Sequence, residues 1–302
     1  MQLSFKLLLK VEIIVIIAYF AICLFLFVRQ TRLIFFPSGV IERTPEIFNL
    51  PYEDVWLPVK GRNGKTELIH GWWIPSPEPN PNVLLYLHGN AINVGANVGH
   101  ARRLHQLGFS VLLIDYRGYG LSGGDFPAEQ RVYEDAYLAW NYLINERQIL
   151  PSKIFIYGHS LGGAIAIDLA IKQPQAAGLI VESSFTSIRD MVDYRNLFWM
   201  FPVNLILTQR FESINKVPQL KIPVLFIHGM ADTNVPSFMS QKLYHAAPEP
   251  KKLLLVPSAE HDNTATVGGE EYLQWVMSFV QGVKGGRILT NTEHQSEHQS
   301  VN

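Results

Sequence analysis

The chain has 302 residues, a formal net charge of −1 and 48% hydrophobic residues. Its 25 Lys and Arg residues are scattered instead of clustered, which argues against binding to the phosphate backbone of a nucleic acid. The single cysteine, Cys23, excludes a disulfide framework and a thiolate metal site.

An apolar segment lies near the N-terminus. Residues 13–28 carry no charge, and residues 7–28 would form a helix of about 33 Å, against a hydrocarbon core of roughly 30 Å. Arg29 and Arg32 follow, where a cleaved signal peptide would have small residues. We therefore predict that residues 1–30 form a single-pass membrane anchor, and neither a cleaved signal peptide nor a buried core helix. The basic residues on its two sides are balanced, so they favour neither orientation.

A connector is predicted at residues 31–49 and one catalytic domain at residues 50–284, since α/β folds of roughly 200–250 residues commonly form one domain. Apolar and polar residues alternate at 54–59 and 67–74, which predicts antiparallel strands at a sheet edge.

Six short apolar runs follow, as is typical of parallel strands that are covered on both faces. They lie at 83–87, 111–114, 154–157, 179–181, 224–227 and 253–256. Helical patterns separate them, at 94–107, 129–145, 160–172 and 237–246, and another lies at 270–280. The alternation predicts an α/β fold with a mostly parallel, doubly wound sheet, whose reactive residues lie at the carboxyl ends of the strands.

Two stretches do not follow this alternation. Residues 184–218 are longer than a simple crossover and predict a small cap. Most apolar side chains of 197–203 are expected to pack on the core, with contact to substrate or to the bilayer as the alternative. Residues 285–302 are polar and predict a disordered tail. The two histidines of its repeat, His294 and His298, are expected to be solvated and not to bind a metal.

Ser160 lies in the sequence Gly158-His159-Ser160-Leu161-Gly162, a G-x-S-x-G motif directly after a predicted strand. Where a strand turns sharply into a helix, the flanking glycines leave room for a serine with a strained backbone and an exposed hydroxyl. The same five residues are also compatible with an ordinary glycine-rich turn. Nucleophilic catalysis therefore requires partners elsewhere in the chain.

Two such partners follow predicted strands in the order Ser, Asp, His. Asp232 comes after the run at 224–227, and His261 is the one histidine between the last strand and the last helix. We predict His261 as general base and Asp232 as the carboxylate that orients it. Asp232 could instead cap the helix that starts near Pro236, and Glu182 at the end of its own strand is a reserve acid.

An oxyanion needs two preorganised donors. We predict the backbone N–H groups of Leu161 and of Asn90, which follows the flexible Gly89. His88 is expected to bond to the loop backbone. No Gly-Lys-Ser/Thr follows this loop, and His228 lacks metal-ligand spacing to a second His or Cys, so we expect no cofactor and no metal.

These motifs resemble those of α/β-hydrolases, and more narrowly the membrane-anchored, bud-emergence-type branch of α/β-hydrolase-domain serine hydrolases. The matching residues are 87–91, 115–120 with Ser122, 158–163, 182–185, 229–232 and His261. They span about residues 50–280 of the chain. The resemblance implies the same triad of Ser160, Asp232 and His261, and a structural role for the loop at 115–120.

The expected activity is that of a serine hydrolase acting on a carboxylic ester or thioester. The anchor and the cap favour a lipid-like acyl substrate, such as a monoacylglycerol, a lysolipid or an acylated protein. An aminopeptidase-like hydrolase is the alternative, with Glu182 or Asp193 binding the substrate amine. A non-catalytic, membrane-tethered interaction module is less favoured because no member of the triad is missing.

Overall fold

The computed structural model describes residues 2–61 and 64–285, so residues 286–302 of the predicted disordered tail lie outside the described residues. The strands in chain order are β1 (Phe36–Pro37), β2 (Glu53–Lys60), β3 (Thr66–Ile74), β4 (Val83–Leu87), β5 (Ala91–Ile92), β6 (Ser110–Ile114), β7 (Ile154–His159), β8 (Gly178–Glu182), β9 (Val224–Gly229) and β10 (Lys251–Val256). The helices are α1 (Gln2–Ile34), α2 (Val98–Gln106), α3 (Glu129–Asn145), α4 (Leu161–Lys172), α5 (Ile188–Arg195), α6 (Val203–Ile206), α7 (Ser213–Lys216), α8 (Phe238–Ala246) and α9 (Thr264–Gly285).

Eight strands form the central sheet, in the order β10-β9-β8-β7-β4-β6-β3-β2. β2 and β3 are antiparallel to their neighbours at one edge, and every other pair is parallel. The predicted α/β fold and its antiparallel edge are thus confirmed. Because β4, β7, β9 and β10 are parallel, the loops that follow them meet at the same end of the sheet.

Apolar side chains cover both faces of the sheet, which explains why the parallel strands are continuous apolar runs. Alternate residues of β4 point to opposite faces, with Leu85 and Leu87 in one core and Leu84 and Tyr86 in the other. Helices α3, α4 and α8 pack on the first face, and α2 and α9 on the second. The result is the doubly wound arrangement expected from the sequence.

The cap comprises the short helices α5, α6 and α7 between β8 and β9. The expectation that residues 197–203 pack on the core is wrong. Leu197, Trp199 and Met200 are 69%, 75% and 61% exposed, while Phe198 and Phe201 line a cavity below the cap. This segment lies over an open space instead of over the sheet, so no core surface is available to cover it.

Helix α1 continues past the predicted boundary at residue 30 and ends at Ile34. An 18-residue window within Lys6–Ile34 has a mean hydropathy of 2.9, and the helix is long and apolar enough that it could span a membrane. Immediately after it, Phe36 pairs with Ala91 and Pro37 with Ile92 in a short parallel ladder of β1 and β5. The predicted connector therefore begins as the last turn of α1 and then joins the loop that follows β4.

Candidate active site

Ser160 occupies the sharp turn between β7 and α4. Its backbone has φ 54° and ψ −119°, a conformation that costs an ordinary residue about 1–3 kcal/mol. A Cβ atom at Gly158 would lie 2.1 Å from the carbonyl oxygen of Gly162, and one at Gly162 would lie 2.0 Å from that of Leu87. Both glycines are therefore needed for the close approach of α4 to the strands, and the turn is a nucleophile elbow in its geometry.

The structure brings together the three side chains predicted to act as a triad. Ser160 Oγ lies 2.9 Å from His261 Nε2, and His261 Nδ1 lies 2.7 Å from Asp232 Oδ2. Because a carboxylate only accepts hydrogen bonds, Nδ1 carries the proton and Nε2 is the acceptor for the serine hydroxyl. This tautomer can take the proton of Ser160.

Asp232 is held as a carboxylate by its surroundings. Its Oδ1 accepts hydrogen bonds from the backbone N–H groups of Asn234 and Val235, at 2.8 and 2.9 Å. Burial alone would raise the pKa of Asp232, but hydrogen bonds from His228 and His261 outweigh it and hold the pKa below its usual value. Asp232 is therefore ionised near pH 7.

His228 is a second imidazole on Asp232 that the sequence does not single out. Its Nε2 lies 3.1 Å from Asp232 Oδ2 and 2.9 Å from the carbonyl oxygen of Val235, while its Nδ1 lies 2.6 Å from Ser240 Oγ. Two acceptors around Nε2 fix the proton there. The position of His228 at the end of β9, four residues before the acid, is the signal that could have identified it.

The loop after β4 lies against the nucleophile. A Cβ atom at Gly89 would lie 3.4 Å from Ser160 Cβ. The carbonyl oxygen of Asn90 accepts hydrogen bonds from Phe36 N at 2.8 Å and from the Tyr119 hydroxyl at 2.7 Å, neither of which uses the Asn90 N–H. Leu161 is the first residue of α4, so its N–H has no acceptor within the helix.

Hydrogen bonds within the loop after β4, and hydrogen bonds and an ion pair of the 115–120 segment, support the backbone around the site. His88 Nδ1 lies 2.7 Å from the Gly89 carbonyl oxygen, as expected for a histidine that fixes its own loop. Asp115 Oδ1 accepts from Val94 N at 2.9 Å, and Arg117 pairs with Asp135 at 2.7 Å. These buried residues of the 115–120 segment brace the backbone around the site, which agrees with the structural role expected for them.

Glu182, the reserve acid, does not reach His261. Its carboxylate is fully buried and accepts hydrogen bonds from the hydroxyl groups of Tyr157, Tyr272 and Thr264. His159, in the turn before Ser160, has its Nε2 3.0 Å from the carbonyl oxygen of His261, and so helps to position the loop that carries His261. The sequence motif marks His159 only as a variable position, which is why it was not predicted.

His159, His261 and Asp262 are the described residues that offer a metal-ligand set, with ligand atoms within 4.8 Å of one another. Both ring nitrogens of His261 are already engaged with Ser160 and Asp232, and His159 Nε2 is engaged with a carbonyl oxygen. Hydrogen bonding accounts for this cluster of described residues.

This chain is similar to known proteins in sequence and in fold. Residues 78–214 match the family model described as serine aminopeptidase, S33. The chain is 33% identical to protein bem46 of Schizosaccharomyces pombe over 265 residues, which cover 85% of this chain and 87% of that protein. It is 31% identical over 274 residues to the α/β-hydrolase domain-containing protein WAV2 of Arabidopsis thaliana, covering 83% and 87% of the two chains. The chain belongs to the α/β-hydrolase family.

A solved structure shows the same fold at lower identity. An esterase from Pyrococcus furiosus superposes on this α/β-hydrolase with a TM-score of 0.65 and 22% identity, covering 82% of this chain and 97% of the esterase. The predicted resemblance and fold class are thereby confirmed.

A cavity of about 770 Å³ opens above Ser160 in this α/β-hydrolase, within the range of about 300–1,000 Å³ that is usual for small-molecule sites. Its wall is mostly apolar and comes from the cap, from the loop after β4 and from α1. Burial and the nearby His159 lower the pKa of His100 to about 4, and burial followed by the charge of His261 lowers the pKa of His159. Both imidazoles in the wall are therefore neutral near pH 7.

The sequence does not predict that helix α1 forms part of the cavity wall in this α/β-hydrolase. Leu26, Gln30, Leu33 and Ile34 all line the cavity that contains Ser160 and His261. The sequence assigns this segment only a membrane role because it is apolar on every side and shows no distinct packing face. Gln30 and Tyr19, two polar residues within it, are the signal that could have indicated a protein contact.

Proposed function

We propose that this α/β-hydrolase is a serine hydrolase that cleaves carboxylic esters or thioesters through an acyl-enzyme on Ser160. The observation that carries the proposal is the continuous hydrogen-bonded path from Ser160 Oγ through the His261 ring to Asp232, at the floor of an apolar cavity. Nucleophile, base and orienting acid are all within hydrogen-bond reach, which is the arrangement that nucleophilic catalysis requires.

The reaction follows from the protons in this path. Ser160 Oγ attacks the acyl carbon while His261 Nε2 takes the hydroxyl proton, and Asp232 stabilises the resulting imidazolium. The bond to the leaving oxygen or sulfur then breaks, and His261 returns the proton to the leaving group. Water, deprotonated by the same nitrogen, then attacks the acyl carbon of the acyl-enzyme. As the bond to Ser160 Oγ breaks, His261 returns the proton to this oxygen, which releases the carboxylic acid and free Ser160.

The developing oxyanion would be held by the N–H groups of Asn90 and Leu161. Removing one such donor costs about 3–4 kcal/mol in known enzymes. The hydrogen bonds of the Asn90 carbonyl to Phe36 and Tyr119 support this role, because they fix the peptide before substrate arrives.

An aminopeptidase-like activity is the second candidate, since the matched family model carries that description. It needs a carboxylate for the substrate's free amine. The carboxylate of Glu182 already accepts hydrogen bonds from three hydroxyl groups, and Asp193 forms an ion pair with Arg189 on the surface of α5. Among the described cavity residues the one acid is Asp262, which is not placed on the apolar cap side. The lining therefore favours an uncharged acyl group.

Membrane anchoring by α1 is part of the proposal. A cleaved signal sequence would remove one wall of the cavity and the side-chain contacts of Gln30 with the cap. The helix is thus better explained as a permanent part of the enzyme. Retention of full-length protein in the membrane pellet after alkaline carbonate extraction would support this, whereas an N-terminus that begins after residue 30 in the mature protein would contradict it.

Fluorophosphonate labelling of the detergent-solubilised protein tests the serine hydrolase itself. We expect labelling of the wild type and of Ser152→Ala, an exposed serine outside the site, and none of Ser160→Ala. Equal labelling of all three, or of none, would favour the non-catalytic interaction module. Comparison of p-nitrophenyl esters with an aminoacyl nitroanilide then separates the two enzyme classes, and a preference for the anilide would favour the aminopeptidase.

A further inference from the structure

Helix α1 packs on the catalytic domain along one stripe. Five of its covered residues are Tyr19, Cys23, Leu26, Gln30 and Ile34, of which Gln30 is buried and the others are partly buried. Their spacings of three and four residues place them on a single helical face. Apolar residues on the other faces are exposed, among them Ile17, Phe20, Leu24 and Val28.

Two polar side chains of this stripe fasten α1 to the cap. Gln30 is 7% exposed, and its Oε1 accepts from the backbone N–H groups of Thr208 at 2.7 Å and Gln209 at 3.1 Å. Its Nε2 donates to the carbonyl oxygen of Ile206 at 3.1 Å. An amide whose donor and acceptor are both used in this way holds the helix at one height against the cap.

Tyr19 makes the second attachment, farther along the helix. Its hydroxyl donates to the carbonyl oxygen of Met200 at 3.0 Å, and its ring stacks on Phe201 with centroids 5.6 Å apart. Tyr19 lies ten residues before Arg29, which corresponds to about 15 Å along a helix. If Arg29 marks the membrane surface, the cap segment that touches Tyr19 lies within the hydrocarbon region.

The side chains of the cap segment near Tyr19 are suited to the hydrocarbon region of a bilayer. Leu197, Trp199, Met200 and Leu205 are the large apolar residues exposed on it, and we call them the cap rim. In water such a patch would be unfavourable, whereas in a bilayer next to an apolar helix it is covered by acyl chains. The neighbouring Phe198, Phe201 and Ile206 line the cavity, so the rim and the cavity wall belong to one continuous segment.

We propose that the substrate is a single-chain lipid ester resident in the bilayer, which enters the cavity sideways between α1 and the cap rim. This rests on the serine hydrolase function proposed above. The acyl chain would lie against Leu26 and Leu33 of α1, with its carbonyl at Ser160, so the anchor helix sets acyl-chain specificity. A cavity of about 770 Å³ suits one small-molecule ligand, which favours one chain over two.

The test uses full-length protein in phosphatidylcholine vesicles, with monooleoylglycerol in the bilayer and p-nitrophenyl acetate in water. The readout is kcat/KM for monooleoylglycerol divided by kcat/KM for p-nitrophenyl acetate. Leu26→Trp fills the chain path, and we expect the ratio to fall by at least about tenfold. Leu24→Trp, the same change on the outward face of α1, is expected to leave the ratio unchanged. Equal ratios for the two variants would overturn the proposal.

Two outcomes separate this proposal from the serine hydrolase function. Turnover of p-nitrophenyl acetate without any turnover of monooleoylglycerol would overturn only the lipid assignment, as would turnover of an S-palmitoylated peptide alone in the same vesicles. Loss of both Ser160-dependent labelling and p-nitrophenyl acetate turnover would overturn the hydrolase function itself.

A second measurement does not depend on activity. Vesicles with brominated acyl chains should quench the fluorescence of Trp199, which is 75% exposed on the cap rim. We expect Trp199→Phe to remove most of the quenching and Trp56→Phe, an exposed residue of the edge strand β2, to retain it. Quenching that is the same in the wild type and in Trp199→Phe would show that the rim is outside the bilayer and would overturn sideways entry.

Discussion

The side-chain amide of Asn90 donates a 2.7 Å hydrogen bond to the carbonyl oxygen of Ile34. Ile34 is the last residue of α1, and Asn90 carries one of the two amides proposed for the oxyanion. A second bond, from Phe36 N to the Asn90 carbonyl oxygen, continues the connection. The end of α1 and the loop beside Ser160 therefore form one hydrogen-bonded unit.

Replacement of Asn90 by Ala should slow catalysis although the backbone N–H remains. The variant loses the bond to Ile34, and a net hydrogen bond of about 0.5–1.5 kcal/mol corresponds to roughly a 2–10-fold lower kcat. Steady-state kinetics on p-nitrophenyl butyrate measure this, with little change expected in KM. Asn215→Ala, at an exposed position on α7, is the control. A wild-type kcat in Asn90→Ala would show that the connection does not position the loop.

Asp232→Asn should reduce kcat by about 10³–10⁴-fold. The neutral amide no longer favours the His261 tautomer with the proton on Nδ1, so the ring loses its acceptor toward Ser160. Thermal unfolding checks that the variant is folded, and kcat for a short ester gives the loss. Asp193→Asn on the surface of α5 should retain activity. A loss of less than about tenfold in Asp232→Asn would argue that another acid orients the base.

The pH dependence of kcat/KM should have an acid limb with a slope of one. His261 must be neutral to accept a proton, and the charge of a histidine ordinarily changes between about pH 5 and 8. Hydrogen bonds hold the pKa of Asp232 below its usual value against the opposing effect of burial, so this carboxylate stays ionised and adds no second proton. Activity is therefore expected where His261 is neutral, and it should fall as a lower pH protonates the ring. A profile that stays flat down to pH 4 would contradict the role of His261.

Gly162→Ala should destabilise the protein and abolish labelling of Ser160. The added Cβ would lie 2.0 Å from the Leu87 carbonyl oxygen, so α4 would have to move away from β4. We expect the free energy of unfolding to fall by about 3 kcal/mol or more. Gly99→Ala in α2 meets nothing within 4 Å and should be neutral or stabilising by up to about 1 kcal/mol. Similar thermal unfolding of the two variants would refute the packing argument.

Much of the sheet could be predicted because its strands are covered on both faces. Residues 83–87 and 154–157 are continuous apolar runs, and only a buried parallel strand combines such a run with a helix on each side. The same rule places the loops after β7, β9 and β10 at one end, which is why Ser160, Asp232 and His261 could be grouped from spacing and order before any distance was known.

The contacts of α1 and the cap could not be predicted in this way. Leu26 and Leu24 are the same residue type in the same apolar run, so the sequence does not distinguish them. Only the packing shows that Leu26 lines the cavity and that Leu24 is exposed. The segment 197–203 has the composition of a core strand, yet it lies over a cavity, with Leu197, Trp199 and Met200 exposed. His228 was missed for a related reason: the pattern that identifies an acid does not describe what else bonds to it.

If α1 anchors the protein in a membrane and the substrate is a lipid ester, as proposed, the attachment of α1 at both Gln30 and Tyr19 also determines how often the enzyme meets its substrate. A domain on a flexible linker would sample the water above the membrane. A domain attached to the helix at two points would instead stay at the membrane and diffuse only within its plane. Encounters would then be set by lateral diffusion in two dimensions. The quantity that governs turnover becomes the mole fraction of lipid ester in the membrane, and diluting the surface with inert phospholipid would slow the reaction even when the bulk amount of substrate is unchanged.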